Sequence, residues 1–72
     1  MSIKDERLVL LGNKLKRLRK SKKFSQLNLS VKLGITREHL SKIERGAAYP
    51  SVKIIFAIIE LLNISYKEIF NI

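Results

Sequence analysis

The stretch that decides the fold is residues 25–46, which read SQLNLSVKLGITREHLSKIERG. It holds two segments with apolar residues at helical spacing, each preceded by a hydroxyl residue of the kind that caps a helix N-terminus. Each segment is followed by a glycine, which readily takes the left-handed conformation that closes a helix. The stretch therefore predicts two short helices, over 26–33 and 37–45, joined by a tight turn. The capping residues are Ser25 and Thr36, and the closing glycines are Gly34 and Gly46.

The segments on either side are also helical in pattern. Before the stretch, leucines recur at helical spacing and form one apolar stripe: Leu8, Leu11, Leu15 and Leu18. After it, Ser51 caps a further segment over 52–62. Ser65 and Glu68 then form a capping box that opens a short last helix. No alternating pattern or hairpin dipeptide points to a strand, so we predict an all-α fold of five helices in one domain, residues 1–72.

The composition argues against catalytic and metal-binding functions. The chain has 72 residues, no cysteine and a single histidine, which excludes disulfides, thiolate metal sites and multi-histidine metal sites. The sequence places no two carboxylates together for acid and base catalysis. We therefore expect no enzyme activity, no catalytic residue, no metal and no cofactor, and nothing indicates a small-molecule ligand.

The chain shows no sign of secretion or membrane insertion. Its N-terminus has no apolar run of signal-peptide length. The most apolar stretch, residues 52–64, is interrupted by Lys53, Glu60 and Asn63 and is shorter than the ~20 residues that span a bilayer. We therefore expect a cytoplasmic protein that does not insert into a membrane.

The net charge of +9 comes from the first two-thirds of the chain. Residues 1–46 carry 13 basic and 4 acidic side chains, whereas residues 47–72 carry 2 of each. A basic block without any acidic residue covers residues 14–23. This segregation is typical of an electrostatic footprint for nucleic acid. A basic amphipathic peptide that acts at anionic membranes would share the charge but not the separate, well-capped helices.

The residues of the two short helices and their flanks resemble a known family. The matching positions are Leu11-Gly12, Leu15, Leu18-Arg19, Ser25-Gln26, Leu29, Leu33-Gly34, Leu40-Ser41, Ile43-Glu44-Arg45-Gly46 and Pro50-Ser51. Together they are similar to the Cro/CI-like (Xre-type) helix-turn-helix of bacterial and phage regulators, over about residues 8–70. The resemblance implies a lambda-repressor-like DNA-binding domain with its helix-turn-helix at about 26–45, and double-stranded DNA as the partner.

The helix over 37–45 presents a polar face to solvent. At about 100° per residue, Leu40 and Ile43 define the core direction, and the opposite and lateral positions hold only polar side chains. These are Arg37, Glu38, Ser41, Lys42 and Arg45. A helix with such a face can enter the major groove, which is ~12 Å wide, and reach base edges. In the DNA-bound forms of this motif, the N-terminal part of the second helix contacts the bases.

Each polar side chain suits a particular contact with DNA. Arg37 can donate two hydrogen bonds to guanine, Glu38 can accept one from cytosine, and Lys42 can reach guanine or a phosphate. Gln26 resembles the family's backbone-contacting glutamine, and the lysines of residues 20–23 are further candidates for phosphate contacts. The predicted DNA-binding residues are Gln26, Thr36, Arg37, Glu38, Ser41, Lys42 and Arg45.

Two further residues are singled out by the resemblance. Arg19 and Glu44 match a pair that forms a partly buried salt bridge in the family, tying the first helix to the recognition helix. A planar guanidinium suits a bidentate carboxylate partner.

His39, on the flank of the recognition helix, is interpreted as a partly buried packing residue. Leu27 and Val31 stand at positions that are usually polar, and either pack on the first helix or form an exposed apolar pair.

The helix over 52–62 is apolar on nearly all sides, which suggests a surface for a second copy. Its core face should be Ile55, Ile58, Ile59 and Leu62. The surplus apolar residues, with Ile72 as an extension, predict a homodimer interface at Ile54, Ile58, Leu61, Tyr66 and Phe70. Two recognition helices one DNA turn apart (~34 Å) would match a palindromic operator. The alternative is an antitoxin or protein-interaction module, in which this apolar third carries the function.

Overall fold

Our computed structural model describes residues 5–70, and this part of the chain contains five helices. In chain order they are α1 Glu6–Ser21, α2 Gln26–Leu33, α3 Arg37–Glu44, α4 Val52–Leu62 and α5 Tyr66–Phe70. No strand occurs among these residues, so the all-α prediction is confirmed. The end of α3 differs by one residue, since Arg45 forms the C-cap and does not continue the helix. Ile72, the suggested extension of the dimer interface, lies outside the described residues.

The predicted capping residues begin the helices. The hydroxyl oxygens of Ser25, Thr36 and Ser51 each accept a hydrogen bond from a first-turn backbone N–H. Asp5 does the same for α1, accepting from the Arg7 amide at 2.9 Å. The Arg7 side chain, and then its backbone amide, hold the pKa of Asp5 below its usual value. The stability contributed by this cap is therefore lost when the pH falls through that lowered pKa.

Four helices end in the same way. After each last turn comes a residue with positive φ. Its own amide and the amide of the following residue donate to carbonyls of the last turn, as in a Schellman motif. The four residues are Lys23, Gly34, Gly46 and Asn63, with φ of 63°, 74°, 73° and 54°. Gly34 takes this conformation inside the turn of the helix-turn-helix, where it sends the chain sharply from α2 into α3.

The core forms where α1, α2 and α3 pack together against α4 and α5. Its buried side chains are Leu15, Leu29, Leu40, Ile43, Ile55, Ile58, Ile59, Leu62 and Ile69. The predicted core face of α4 is therefore confirmed in full. On α1, Leu8 and Leu15 are buried, whereas Leu11 and Leu18 are half-buried and pack on the edge of the core. With α3 held on one side by this core, its other side is left for solvent.

Candidate nucleic-acid interface

The outward face of α3 is polar along its whole length. Leu40 and Ile43 are fully buried on the opposite face. The predicted contact residues lie on the outer side: Thr36, Arg37, Glu38, Lys42 and Arg45 are exposed, and Ser41 is half-buried. The structure therefore brings these six predicted residues onto one surface around α3.

Weak contacts link the polar side chains within this face. The Lys42 ammonium lies 3.9 Å from a Glu38 carboxylate oxygen one turn away, and both side chains are largely exposed. The Arg45 Nε donates a hydrogen bond to the Ser41 hydroxyl at 3.4 Å. An exposed i,i+4 pair contributes only about 0.3–0.5 kcal/mol. These side chains can therefore exchange their present partners for polar groups on a ligand at little cost.

Behind the polar face, Arg19 of α1 and Glu44 of α3 form a bidentate ion pair. The Arg19 Nε donates to one carboxylate oxygen at 2.6 Å and an Nη donates to the other at 3.0 Å. Arg19 is 5% exposed and Glu44 is 2% exposed. Among residues 5–70, every buried side-chain nitrogen and oxygen has a hydrogen-bond partner. The pair therefore links α1 to the end of α3 with its hydrogen-bonding capacity used.

Gln26, the first residue of α2, extends this ion pair to the polar face. Its side-chain NH₂ donates to Glu44 at 3.0 Å, and its side-chain carbonyl accepts from Arg37 at 3.5 Å. Glu44 thus lies at the centre of a network that reaches Arg37 at the start of α3. Sequence reasoning missed this role of Gln26, because the contact depends on the angle between α2 and α3 and not on any local spacing.

Arg19 also shapes the basic turn, which we define as residues 20–23. One Arg19 Nη donates to the Phe24 carbonyl at 2.7 Å, and the Phe24 amide donates to the Arg19 carbonyl at 3.1 Å. Lys20, Lys22 and Lys23 are exposed on this turn. One buried guanidinium therefore fixes both the end of α3 and a turn that presents three ammonium groups.

Gly12 lets α1 approach α3 closely. A Cβ atom on Gly12 would lie 2.8 Å from the Glu44 carbonyl oxygen and even closer to that of Ile43. Both atoms belong to the backbone of α3, so they cannot swing aside as a flexible side chain would. Together with the ion pair, this contact holds α3 against α1 at two neighbouring points.

The pattern of this surface agrees with the comparisons with known proteins. The helix-turn-helix family model matches residues 15–69. The chain belongs to the helix-turn-helix family. The predicted resemblance to Cro/CI-like regulators is thereby confirmed, and the family is one of DNA-binding transcriptional regulators.

Individual members of the helix-turn-helix family are similar over most of the chain. An uncharacterized transcriptional regulator of Methanocaldococcus jannaschii is 36% identical over 60 residues, which is 83% of this chain and 91% of the relative. The crystal structure of the restriction-modification controller protein C.AhdI from Aeromonas hydrophila has a TM-score of 0.84 and 32% identity. The match covers 92% of this chain and 100% of that one. The antitoxin PezA of Streptococcus pneumoniae is 35% identical over 60 residues, but these are only 38% of its length.

In this helix-turn-helix protein, the predicted dimer interface is wrong at one residue. Ile58 is 1% exposed, because the side of α4 that carries it belongs to the core to which all five helices contribute side chains. Ile54 and Leu61 are half-buried and pack against the core, whereas Tyr66 and Phe70 are exposed. Exposed apolar side chains that sequence reasoning missed are Leu10, Tyr49, Val52 and Phe56.

The remaining predicted residues, on α2 and on the flank of α3, differ in how far they are buried. His39 is half-buried on the flank of α3, and its backbone amide donates to the Thr36 hydroxyl. Leu27 and Val31 are both exposed. Of the two predicted alternatives, the exposed apolar pair is therefore correct and packing on α1 is wrong. Elsewhere on α2, Ser30 is buried and its hydroxyl donates to the Leu27 carbonyl at 2.8 Å.

The described residues contain no candidate metal site and no candidate membrane-spanning helix. Within residues 5–70, no group of three or more histidine, cysteine, aspartate or glutamate side chains is arranged to hold a metal ion. In the same part of the chain, no helix combines the length and the apolar character needed to cross a bilayer.

Proposed function

We propose that this helix-turn-helix protein recognises a specific sequence of duplex DNA by placing α3 in the major groove. The observation that carries the proposal is the polar outer face of α3, held outward by the buried Leu40 and Ile43 and by the Arg19–Glu44 pair. The major groove is wide enough for one helix, and each base pair shows a distinct set of donors and acceptors there.

The base contacts in this proposal come from the first two turns of α3. Arg37 donates to guanine O6 and N7, and Glu38 accepts from cytosine N4. Ser41 and Lys42 lie further along the same face and reach the next base edges or a phosphate. The Arg37 side chain already contacts Gln26, so its guanidinium starts from a restrained position. Restraint of this kind lowers the entropic cost of ordering the side chain on DNA.

The phosphate contacts come from groups at the edges of α3. Gln26 and the first amides of α2 point to one phosphate, as backbone N–H groups at helix N-termini commonly do. Thr36, Arg45 and the basic turn contact further phosphates. These contacts fix the register of α3 in the groove but carry no sequence information.

The protein acts as a homodimer in this proposal, bound to a palindromic operator. Two copies related by a two-fold axis would place their α3 helices in successive major grooves, ~34 Å apart. Dimerisation would also double the contact area of a domain with only 72 residues. Since its ligand is intracellular DNA, a cytoplasmic location belongs to the proposal.

Arg37→Ala is expected to weaken binding to the selected operator by about 1–3 kcal/mol and to relax the preference at one base position. The reason is the loss of a bidentate contact with guanine. The measurement is a selection of bound fragments from a random duplex library, followed by titration of single-base operator variants. Lys53→Ala, an exposed change on α4, serves as the control. If the wild-type protein binds random and selected duplexes equally at physiological salt, the proposed function is wrong.

Lys22→Ala is expected to weaken binding to all DNA sequences alike. Each phosphate contact that is lost lowers the slope of log K against log salt by about one unit. Titrations from low to physiological salt, with operator and random duplexes, measure this slope. Lys67→Ala on α5 removes the same charge at a distance and is expected to leave the slope unchanged. An unchanged slope for Lys22→Ala would exclude Lys22 from the phosphate contacts.

A second candidate function is an antitoxin or another protein-interaction module. The observation that favours it is the exposed apolar surface at Phe56, Tyr66 and Phe70, together with the similarity to the antitoxin PezA. A protein that forms a stoichiometric complex with this chain and protects these side chains from solvent would support this function over the homodimer.

A further inference from the structure

Glu38 is an acidic side chain on a face of α3 that is otherwise basic or uncharged. The other acidic residue of α3 is Glu44, which is buried in its pair with Arg19. At about 100° per residue, Glu38 lies within about 10° of the direction opposite Leu40 and Ile43. Its side chain is 81% exposed. With α3 in the major groove, this carboxylate therefore points toward the base edges.

A carboxylate in this position is unfavourable for DNA binding unless it contacts a donor on a base. The phosphates along both sides of the groove repel it, which lowers the affinity for every DNA sequence. The ionised Glu38 side chain can only accept hydrogen bonds. The donors that base pairs present in the major groove are cytosine N4 and adenine N6, so Glu38 has these two partners to choose from.

The surroundings of the two donors favour cytosine. Adenine N6 lies between two acceptors, N7 of the same base and O4 of the paired thymine, and both would face the carboxylate oxygens of Glu38. Cytosine N4 has an acceptor on one side only, guanine O6, because the C5 carbon lies on its other side. The carboxylate therefore meets less repulsion at cytosine than at adenine.

Lys42 places a positive charge beside this carboxylate. Its ammonium lies 3.9 Å from a Glu38 oxygen, so the two side chains present a donor and an acceptor next to each other. A G·C pair presents the matching edge, since cytosine N4 donates to guanine O6 within the base pair and the two atoms lie about 3 Å apart. Guanine O6 and N7 are also the acceptors that lysine contacts most often.

We propose that Glu38 and Lys42 together read a single G·C pair, with Glu38 on the cytosine and Lys42 on the guanine paired with it. Because Glu38 precedes Lys42 along α3, the two contacts also determine which strand carries the guanine. The ammonium offsets the repulsion between the carboxylate and the phosphates. This inference rests on the proposed function and specifies the contact of Lys42, which is with a base and not with a phosphate.

Selections from a random duplex library test whether the two side chains read the same base pair. The wild-type chain is expected to require G·C in one orientation at one position of the half-site. Glu38→Gln is expected to change that position to A·T, because glutamine bonds to adenine N6 and N7. Lys42→Met, which removes the charge but keeps most of the side chain, is expected to relax the preference at the same position. Arg37→Ala is expected to relax a different one.

A double-mutant cycle of Glu38→Ala and Lys42→Ala measures the coupling between the two side chains. On the selected operator, the double variant is expected to lose about tenfold less affinity than the product of the two single losses, since either single change leaves one charge without its partner. On random duplexes the two effects are expected to multiply. Melting temperatures of the three variants show that they are folded, as expected for changes at exposed side chains.

Glu60→Gln is the matched control for Glu38→Gln, because it removes an exposed carboxylate from α4. Glu38→Gln is expected to raise the affinity for random duplexes several-fold, since a charge that phosphates repel is lost from the groove. Glu60→Gln is expected to change neither this affinity nor the base preference. Equal effects of the two variants would show that Glu38 does not lie in the groove and would overturn the inference.

Failure of this inference and failure of the proposed function give different results. If the wild-type chain selects no sequence, both are wrong. If it selects an operator, but Glu38→Gln and Lys42→Met change different positions or none, the proposed function stands and the shared G·C contact is wrong. An A·T pair at the wild-type position that responds to Glu38→Gln would likewise overturn only the inference.

Discussion

Replacing Glu44 with alanine is expected to lower the free energy of unfolding by about 3–5 kcal/mol, the usual cost of removing one member of a buried ion pair. Arg19 would lose both of its bonds to the carboxylate and stay charged while 5% exposed. The side-chain NH₂ of Gln26 would lose its acceptor as well. Urea unfolding monitored by circular dichroism measures the change. Glu38→Ala, which removes an exposed carboxylate from the same helix, is expected to cost less than about 1 kcal/mol.

The double variant Arg19→Met/Glu44→Leu separates stability from positioning. Replacing both charges of a buried pair with apolar groups is often neutral, so most of the stability is expected to return. Operator affinity is expected to stay low, because Gln26 then has no carboxylate to hold it beside Arg37. Arg19→Met should also reduce operator affinity more than Lys16→Met, which removes a solvated charge from the same helix, because Arg19→Met leaves the buried Glu44 carboxylate without its bidentate partner. Wild-type affinity in the double variant would show that the network does not orient the base-reading side chains.

The helix boundaries could be predicted from the sequence because they depend on local chemistry. Ser25, Thr36 and Ser51 cap the helices that follow them, as predicted, and each does so within three residues of its own position. The left-handed residue Gly34 likewise acts on its immediate neighbours. An N-cap or a Schellman motif needs no information about the rest of the fold, so a short window of sequence is sufficient.

The contacts between helices were beyond such local reasoning. The Arg19–Glu44 pair spans 25 residues, and only the family resemblance suggested it. The bond from Gln26 to Glu44 spans 18 residues and depends on the crossing of α2 and α3. These long-range contacts hold the polar face of α3 in position. The polar residues of that face could therefore be predicted from the sequence, whereas the contacts that hold them could not.

The predicted dimer surface shows the same limit for apolar residues. A helical projection of α4 puts Ile58 at the border of two faces, and only the packing of the other helices decides that it is buried. Leu10 lies off the leucine stripe of α1, so the pattern alone identifies it only as an exposed residue. Its position beside Phe70 follows from the contact of α1 with α5.

Gly12→Ala is expected to destabilise the fold by about 3 kcal/mol, at the upper end of the range for overpacking. The new Cβ would lie 2.8 Å from the Glu44 carbonyl oxygen and closer still to that of Ile43. The gain in helix propensity from glycine to alanine offsets only about 1 kcal/mol of this clash. Because α3 must move away from α1 to make room, its polar face shifts relative to α2 and the basic turn. The ratio of operator to random-DNA affinity, measured at a temperature where the variant is folded, should therefore fall as well.

Two matched variants show whether the close approach is the cause. Asn13→Ala raises helix propensity at an exposed neighbouring site of α1, so it should leave stability equal or slightly higher. Gly34→Ala places a Cβ in open space but at φ +74°, where the strained backbone alone costs about 1–2 kcal/mol. Asparagine tolerates that conformation, so Gly34→Asn should recover part of the loss, whereas Gly12→Asn should be worse than Gly12→Ala. Equal stability of Gly12→Ala and Asn13→Ala would mean that a Cβ atom fits between α1 and α3. The close approach at Gly12 would then not determine the position of the recognition helix.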